Sequence, residues 1–260
     1  MLKVFRKIRR NLMETGKTSR YLKYAMGEIV LVVIGILIAL QINNWNQQRL
    51  DLYKETNLLK ALKTDFSETK NRLEETMALQ QKVVQYSQTT LTYYETDLLL
   101  KHRDSIAIYL PYGALSWWRA EPVTGTYDAM ISTGNIELLR NENLKRYLAA
   151  FDAEIKSGFE DHEYSMDLLN NLTLEQSNYP INLSSNVLRE QIGLSKITDT
   201  EILDQNLIRD LERLKENKRF FGLMSSKLAM DMNRLERQEK MHKLSIDILQ
   251  IINNELKETP

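Results

Sequence analysis

The chain has 260 residues, 43% hydrophobic and 27% charged, with 35 Lys and Arg balancing 35 Asp and Glu. Such a composition belongs to a folded chain and excludes a disordered one. With no cysteine, disulfide frameworks, thiolate zinc sites and cysteine nucleophiles are excluded together, and nine Gly and four Pro in the whole chain argue for long helices.

Residues 1–20 form a basic segment in which Val4, Phe5, Ile8 and Leu12 recur at helical spacing between Lys and Arg. This reads as an interfacial helix held to anionic lipid, at about 1 kcal/mol per basic side chain near the surface. The alternative is that these charges only set membrane topology. Beside a membrane helix and without a folded module, the cluster is not read as a nucleic-acid site.

Tyr21–Trp45 follows as a transmembrane helix. Its uninterrupted apolar core, Ile29–Leu40, is short, but Tyr24–Ile42 carries a single charge, Glu28. At ~1.5 Å per residue that window reaches about 29 Å, the thickness of a hydrocarbon core. Tyr21, Tyr24 and Trp45 stand where amphipathic rings favour the interface, Lys23 can snorkel outward, and Glu28 is close enough to Lys23 to be interfacial. Gly35 and Ala39 make a small-xxx-small pair that lets two helices approach, a candidate contact for self-association. Residues 1–28 hold eight basic and two acidic side chains, leaving 27 basic and 33 acidic ones for residues 29–260. A neutral total thus hides a division of +6 and −6, and Lys/Arg retention predicts a cytoplasmic N-terminus with residues 46–260 on the other side. Downstream of the apolar core, Ala39-Leu-Gln-Ile-Asn-Asn lacks the Ala-x-Ala character of a cleavage site, so the anchor reads as uncleaved.

Between Ile36 and Leu110 there is neither Gly nor Pro, and one helix is expected to run out of the span to Tyr94–Leu100. Leu52, Leu59, Phe66 and Leu73 recur every seven residues, but Glu55, Thr69 and Thr76 stand at the partner positions. A bundle helix is expected rather than a coiled coil. Residues 105–125, with two prolines and Trp117-Trp118-Arg119, read as an irregular connector. Trp117, Trp118 and Arg119 are the candidate ligand or partner site, since adjacent indoles beside a guanidinium make a stacking platform for a sugar, peptide or lipid head group. The alternative is that the pair closes one end of the bundle core.

A helix over Thr126–Ser132 is expected to stop at Gly134-Asn135. Asn141 caps the next, whose stripe of Leu144, Leu148, Phe151 and Ile155 carries on past Gly158 toward Asn170. Residues 173–198 read as a second connector with a short helix near Ser185–Ile192. Thr198 or Asp199 caps the last stretch, which is either one very long helix or two meeting near Phe220–Gly222. The fold class expected is all-α, an N-terminal transmembrane helix continuing into a long-helix antiparallel bundle.

Two segments carry a resemblance. FRKIRRNL followed by KYAMGEIVLVVIGILIALQINNWN, and TGTYDAMISTGNIELLRNENLK at 124–145, resemble an uncharacterised bacterial family of single-span membrane proteins. The resemblance implies an envelope protein whose helical body lies outside the inner membrane of a Gram-negative bacterium, and it brings no activity or catalytic residue.

His102, His162 and His242 are scattered, no HExxH, GxSxG, SxxK or phosphate-loop pattern occurs, and Glu160–Glu163 are consecutive, so their side chains fan round a helix as a solvated face. No enzyme, metal or cofactor is expected. The partners expected are the bilayer and either another envelope protein or a second copy. The role expected is a scaffold, accessory or partner-binding protein, with a sensor-type ligand-binding ectodomain as the alternative.

Overall fold

The computed structural model describes residues 18–160 and 162–258, and among them the chain is all-α with no strand. Of the interfacial segment expected at residues 1–20, residues 1–17 lie outside what is described, as do the side chains of Tyr21 and Tyr24. The chain forms two compact units, Met1–Asn57 and Leu58–Pro260. Helix α1, Thr18–Glu95, belongs to both.

In the first unit α1 has an 18-residue window of mean hydropathy 2.5, none of it buried within the protein. Aliphatic side chains from Ile29 to Ile42 are exposed all round the helix. Water tolerates so large an apolar surface badly, whereas hydrocarbon matches it, because a helix bonds its own backbone polar groups. This helix is long and apolar enough to cross a membrane. Lys23 and Trp45 are exposed, Glu28 is half-buried, and the Arg49 guanidinium lies 5.8 Å from the Trp45 ring. Gly35 has nothing within 4 Å of where a Cβ would stand, and Ala39 is exposed.

Among its described residues the second unit holds the rest of α1 and seven further helices: α2 Arg103–Tyr109, α3 Gly125–Thr133, α4 Glu142–Glu160, α5 His162–Gln176, α6 Asn186–Gln191, α7 Thr200–Lys215 and α8 Lys218–Glu258. Their ends follow local chemistry. Gly134 at φ 72° terminates α3 in the left-handed region that a side chain disfavours. Asn141 Oδ1 accepts from Leu144 N at 3.0 Å, and Asp199 Oδ1 accepts from Glu201 N at 3.0 Å and Ile202 N at 3.2 Å. Asp199→Ala is expected to lower stability by about 1 kcal/mol, read as a shifted denaturant midpoint.

The break in the last stretch falls earlier than Gly222, at 216–217. Asn217 Oδ1 accepts from Phe220 N at 3.0 Å and so starts α8 as an N-cap, while Gly222 lies inside the helix. The connector expected at 105–125 is also shorter: α2 enters it, and a π-turn at Leu110–Ala114 follows. Burial of Ile106, Ala107 and Leu110 orders this stretch, and Pro111, which has no N–H to donate to the preceding turn, stands where α2 gives way to the π segment. Residues 173–198 contain the end of α5, a 3₁₀ turn at Ile181–Ser184 and α6.

Cross-links fix the packing direction. Glu74 on α1 meets His242 on α8 at 3.0 Å, and further along α1 Gln80 meets Asp231. Asn141 meets Glu255 at 2.7 Å, and Glu154 further along α4 meets Lys240. Rising numbers on α1 and α4 pair with falling numbers on α8, so both run antiparallel to it. One core joins Leu62, Phe66 and Leu73 of α1 to Leu144, Leu148 and Phe151 of α4 and Ile248 and Ile252 of α8. A second joins Leu99, Ile106 and Leu110 to Leu207, Leu211 and Leu214 of α7 and Phe220, Phe221 and Met224 of α8.

Gly113 sits where the π-turn touches α1. A Cβ there would stand 2.8 Å from Tyr86 Cβ and 3.1 Å from the Ser87 backbone nitrogen. Gly113→Ala is therefore expected to destabilise by about 1–3 kcal/mol, an overpacking cost measurable by urea unfolding.

Candidate functional site

Residues 115–124 lack regular structure, so their backbone groups need partners from elsewhere. Polar side chains of α1 supply several. Gln80 Oε1 accepts from Trp118 N at 3.2 Å, Thr69 Oγ1 accepts from Val123 N at 2.9 Å, and Arg72 donates to the Glu121 carbonyl at 3.2 Å. From α8, Gln238 Nε2 donates to the Trp118 carbonyl at 3.2 Å.

A buried charge network anchors this segment to α8. Lys227 and Asp231, each 1% exposed, are paired at 2.6 Å, one helical turn apart. Lys227 Nζ also donates to the Ser116 carbonyl at 2.8 Å. Asp231 Oδ1 accepts from Arg234 at 2.9 Å and from Gln80 Nε2 at 3.3 Å. Burial pushes the Lys227 ammonium below the usual lysine range, and Asp231 opposes that shift. The Arg234 guanidinium then lies 4.9 Å from the centre of the Trp117 ring, which in turn tilts against the His162 ring at 5.1 Å.

Beside this network lies a cavity of about 60 Å³. Its walls come from α1 (Leu73), the 115–124 segment (Arg119, Ala120, Pro122), α4 (Glu154, Ile155, Gly158), α5 (His162, Ser165) and α8 (Met230, Arg234, Arg237, Gln238, Met241). Arg237 donates to Ser157 Oγ, and Glu154 is paired with Lys240. Four buried polar atoms in or against these walls have no hydrogen-bond partner in the chain: Trp117 Nε1, His162 Nδ1, Ser165 Oγ and Gln238 Oε1. Each such atom costs about 1–3 kcal/mol when left unsatisfied, and buried polar atoms are very largely paired in folded proteins. Among the described residues seven such atoms occur, and these four lie around the one cavity.

The sequence-predicted trio is therefore divided. Arg119 lines the cavity, Trp117 backs it behind His162 and Arg234, and Trp118 is 44% exposed and lies outside it. With the Trp117 ring packed against His162 and Arg234 and the Trp118 ring turned outward, the two indoles do not form one platform. The solvated face expected for Glu160–Glu163 fails at His162, whose Nδ1 is buried; Glu160's side chain and Asp161 lie outside the described residues. Sequence reasoning missed Ser165, Lys227, Asp231 and Gln238. A signal existed for three of them: with Met224, Met241, Ser245 and Ile248 they occupy one 3- and 4-spaced buried stripe of α8. Among the described residues no group of three or more His, Asp or Glu could hold a metal ion.

A family of unknown function (DUF6090) matches residues 28–153, from the apolar window of α1 into α4. The match takes in the 124–145 segment and residues 28–46 of the N-terminal stretch that carries the resemblance, while FRKIRRNL at 5–12 lies outside it. No curated protein and no solved structure matches the chain.

Proposed function

We propose that this chain is a single-span, non-enzymatic protein of the bacterial cell envelope, anchored in the inner membrane, whose periplasmic body binds a small ligand as a sensor-type module. The ligand-binding part is carried by one observation, the four unpartnered buried polar atoms around the α4/α5/α8 cavity. Charge supports the orientation: +6 over residues 1–28 against −6 beyond them. Leu73 and Gln80 tie the cavity and the Trp118 segment to α1, the helix that also holds the apolar window, so ligand occupancy bears on the same element. The output is another membrane protein.

A thermal-shift screen of the detergent-solubilised full chain tests this reading, with Ser165→Ala as counter-screen. A compound that stabilises the wild type more than the variant is the expected result; if no compound of any class does so, the reading fails. Protease added outside sealed, inside-in vesicles is expected to remove residues beyond Trp45, and protection of that region would reverse the orientation.

A scaffold or accessory role is the second reading. It is favoured by Leu183, Val187, Ile192 and Leu194, four exposed aliphatic side chains along residues 183–194. Crosslinking in native membranes tests it, and recovery of the monomer alone counts against it.

A further inference from the structure

Every charged group in the cavity wall is already engaged within the chain. Glu154 is held by Lys240, Arg237 by the Ser157 hydroxyl and Arg234 by Asp231, and Arg119 has an interaction of its own. A charged guest would lose its water and meet no uncompensated counter-charge, the cost that keeps isolated ions out of buried sites. Much of the remaining wall is hydrocarbon or thioether, with Leu73, Ile155, Met230 and Met241. The wall thus selects against an ion and in favour of carbon.

Three wall residues then specify the polar part of the fit, through His162 Nδ1, Ser165 Oγ and Gln238 Oε1, none of which has a partner in the chain. Gln238 Oε1 only accepts, because Gln238 Nε2 is the amide atom bound to the Trp118 carbonyl. A guest must therefore donate. The Ser165 hydroxyl carries a proton with no acceptor, so a guest that only donates leaves it unmet. His162 Nδ1 takes either role according to its tautomer and decides nothing. Ser165 is 2% and Gln238 4% exposed, so neither is served by bulk solvent. Size narrows the guest further. At about 10–15 Å³ for each water-sized occupant, 60 Å³ holds about four to six of them. Water alone would answer the polar atoms and leave the hydrocarbon wall wet.

We propose that the cavity binds a short uncharged alcohol or primary amide of about four to six non-hydrogen atoms. Its head donates to Gln238 Oε1 and accepts from the Ser165 hydroxyl, and its carbon chain packs on Ile155, Met230 and Met241. Alcohols and amides share the required chemistry, a neutral head that both donates and accepts. The assignment rests on the ligand-binding part of the reading above and specifies its ligand.

The test is titration calorimetry and thermal unfolding of the full chain in detergent with butyramide, 1-butanol, 2-pentanone, butyrate and butylamine. At a hundredfold excess over Kd, butyramide is expected to raise Tm by about 5–10 °C. 2-Pentanone, the same shape with a methyl in place of the amide nitrogen, is expected to bind about tenfold more weakly, because it leaves Gln238 Oε1 unpaired. Ser165→Ala is expected to weaken butyramide by about fivefold while leaving the unliganded Tm equal or higher, since the hydroxyl it removes has no partner in the chain. Equal affinity for butyramide and 2-pentanone overturns the assignment of the head, and an unchanged affinity in Ser165→Ala overturns its placement. Stabilisation by butyrate or butylamine alone, lost in Ser165→Ala, overturns the uncharged class and leaves the cavity as a ligand site. No stabilisation by these or any compound of the wider screen overturns both.

Discussion

Asp231→Ala is expected to be among the most damaging single substitutions in the second unit, lowering stability by about 3–5 kcal/mol in denaturant unfolding of the full chain. Lys227 is 1% exposed, and without Asp231 it keeps only the Ser116 carbonyl while facing the like charge of Arg234. Gln80 loses its bond to Asp231 Oδ1 and keeps the one to the Asp231 carbonyl, so its grip on the Trp118 backbone is weakened but not released. Lys227→Met is expected to cost clearly less, because Asp231 retains Arg234 and Gln80. Equal losses from the two substitutions would show that the pair is not the asymmetric network described above. Loosening of residues 115–124 also predicts that Asp231→Ala reduces any ligand response carried by Arg119.

Placing arginine at both Val33 and Leu37 is expected to move the chain from the membrane fraction to the soluble or degraded fraction. Both side chains lie in the apolar window, one turn apart, and are exposed. Each arginine near the centre of a span costs about 2.5–3.5 kcal/mol in insertion, so the pair removes roughly 5–7 kcal/mol from a helix of moderate length. Carbonate extraction followed by sedimentation reads the result. If the doubly substituted chain stays in the pellet as completely as the wild type, this window is not what holds the protein to the bilayer.

The all-α class, the end of α1 near Tyr94, the stop at Gly134 and the caps at Asn141 and Asp199 were legible because each depends on a few neighbouring residues. The helix break before α8 was misplaced for an instructive reason. Glycine lowers helix propensity by only ~1 kcal/mol, which burial of Phe220 and Phe221 overrides, whereas Asn217 offers a cap bond. In the sequence Thr69 is only a polar interruption of the α1 heptads; in the fold its hydroxyl accepts from Val123 N, a contact that spacing along α1 does not reveal.

By itself the sequence determined the membrane-length apolar run, the +6 and −6 division around it, and a helical body built without disulfides. These are sums or periodicities along the chain, independent of which helix lies beside which. Only the tertiary structure decided that Trp117 backs a cavity while Trp118 faces outward, that Lys227 and Asp231 are buried together, and that His162, Ser165 and Gln238 meet around one space. The cavity exists where α4 and α5 lie against α8, with the 115–124 segment between them and α1. Hydrophobic spacing says which face of each helix is buried; it does not say which polar atoms on those faces end up opposite one another, because that depends on packing between residues far apart in the chain.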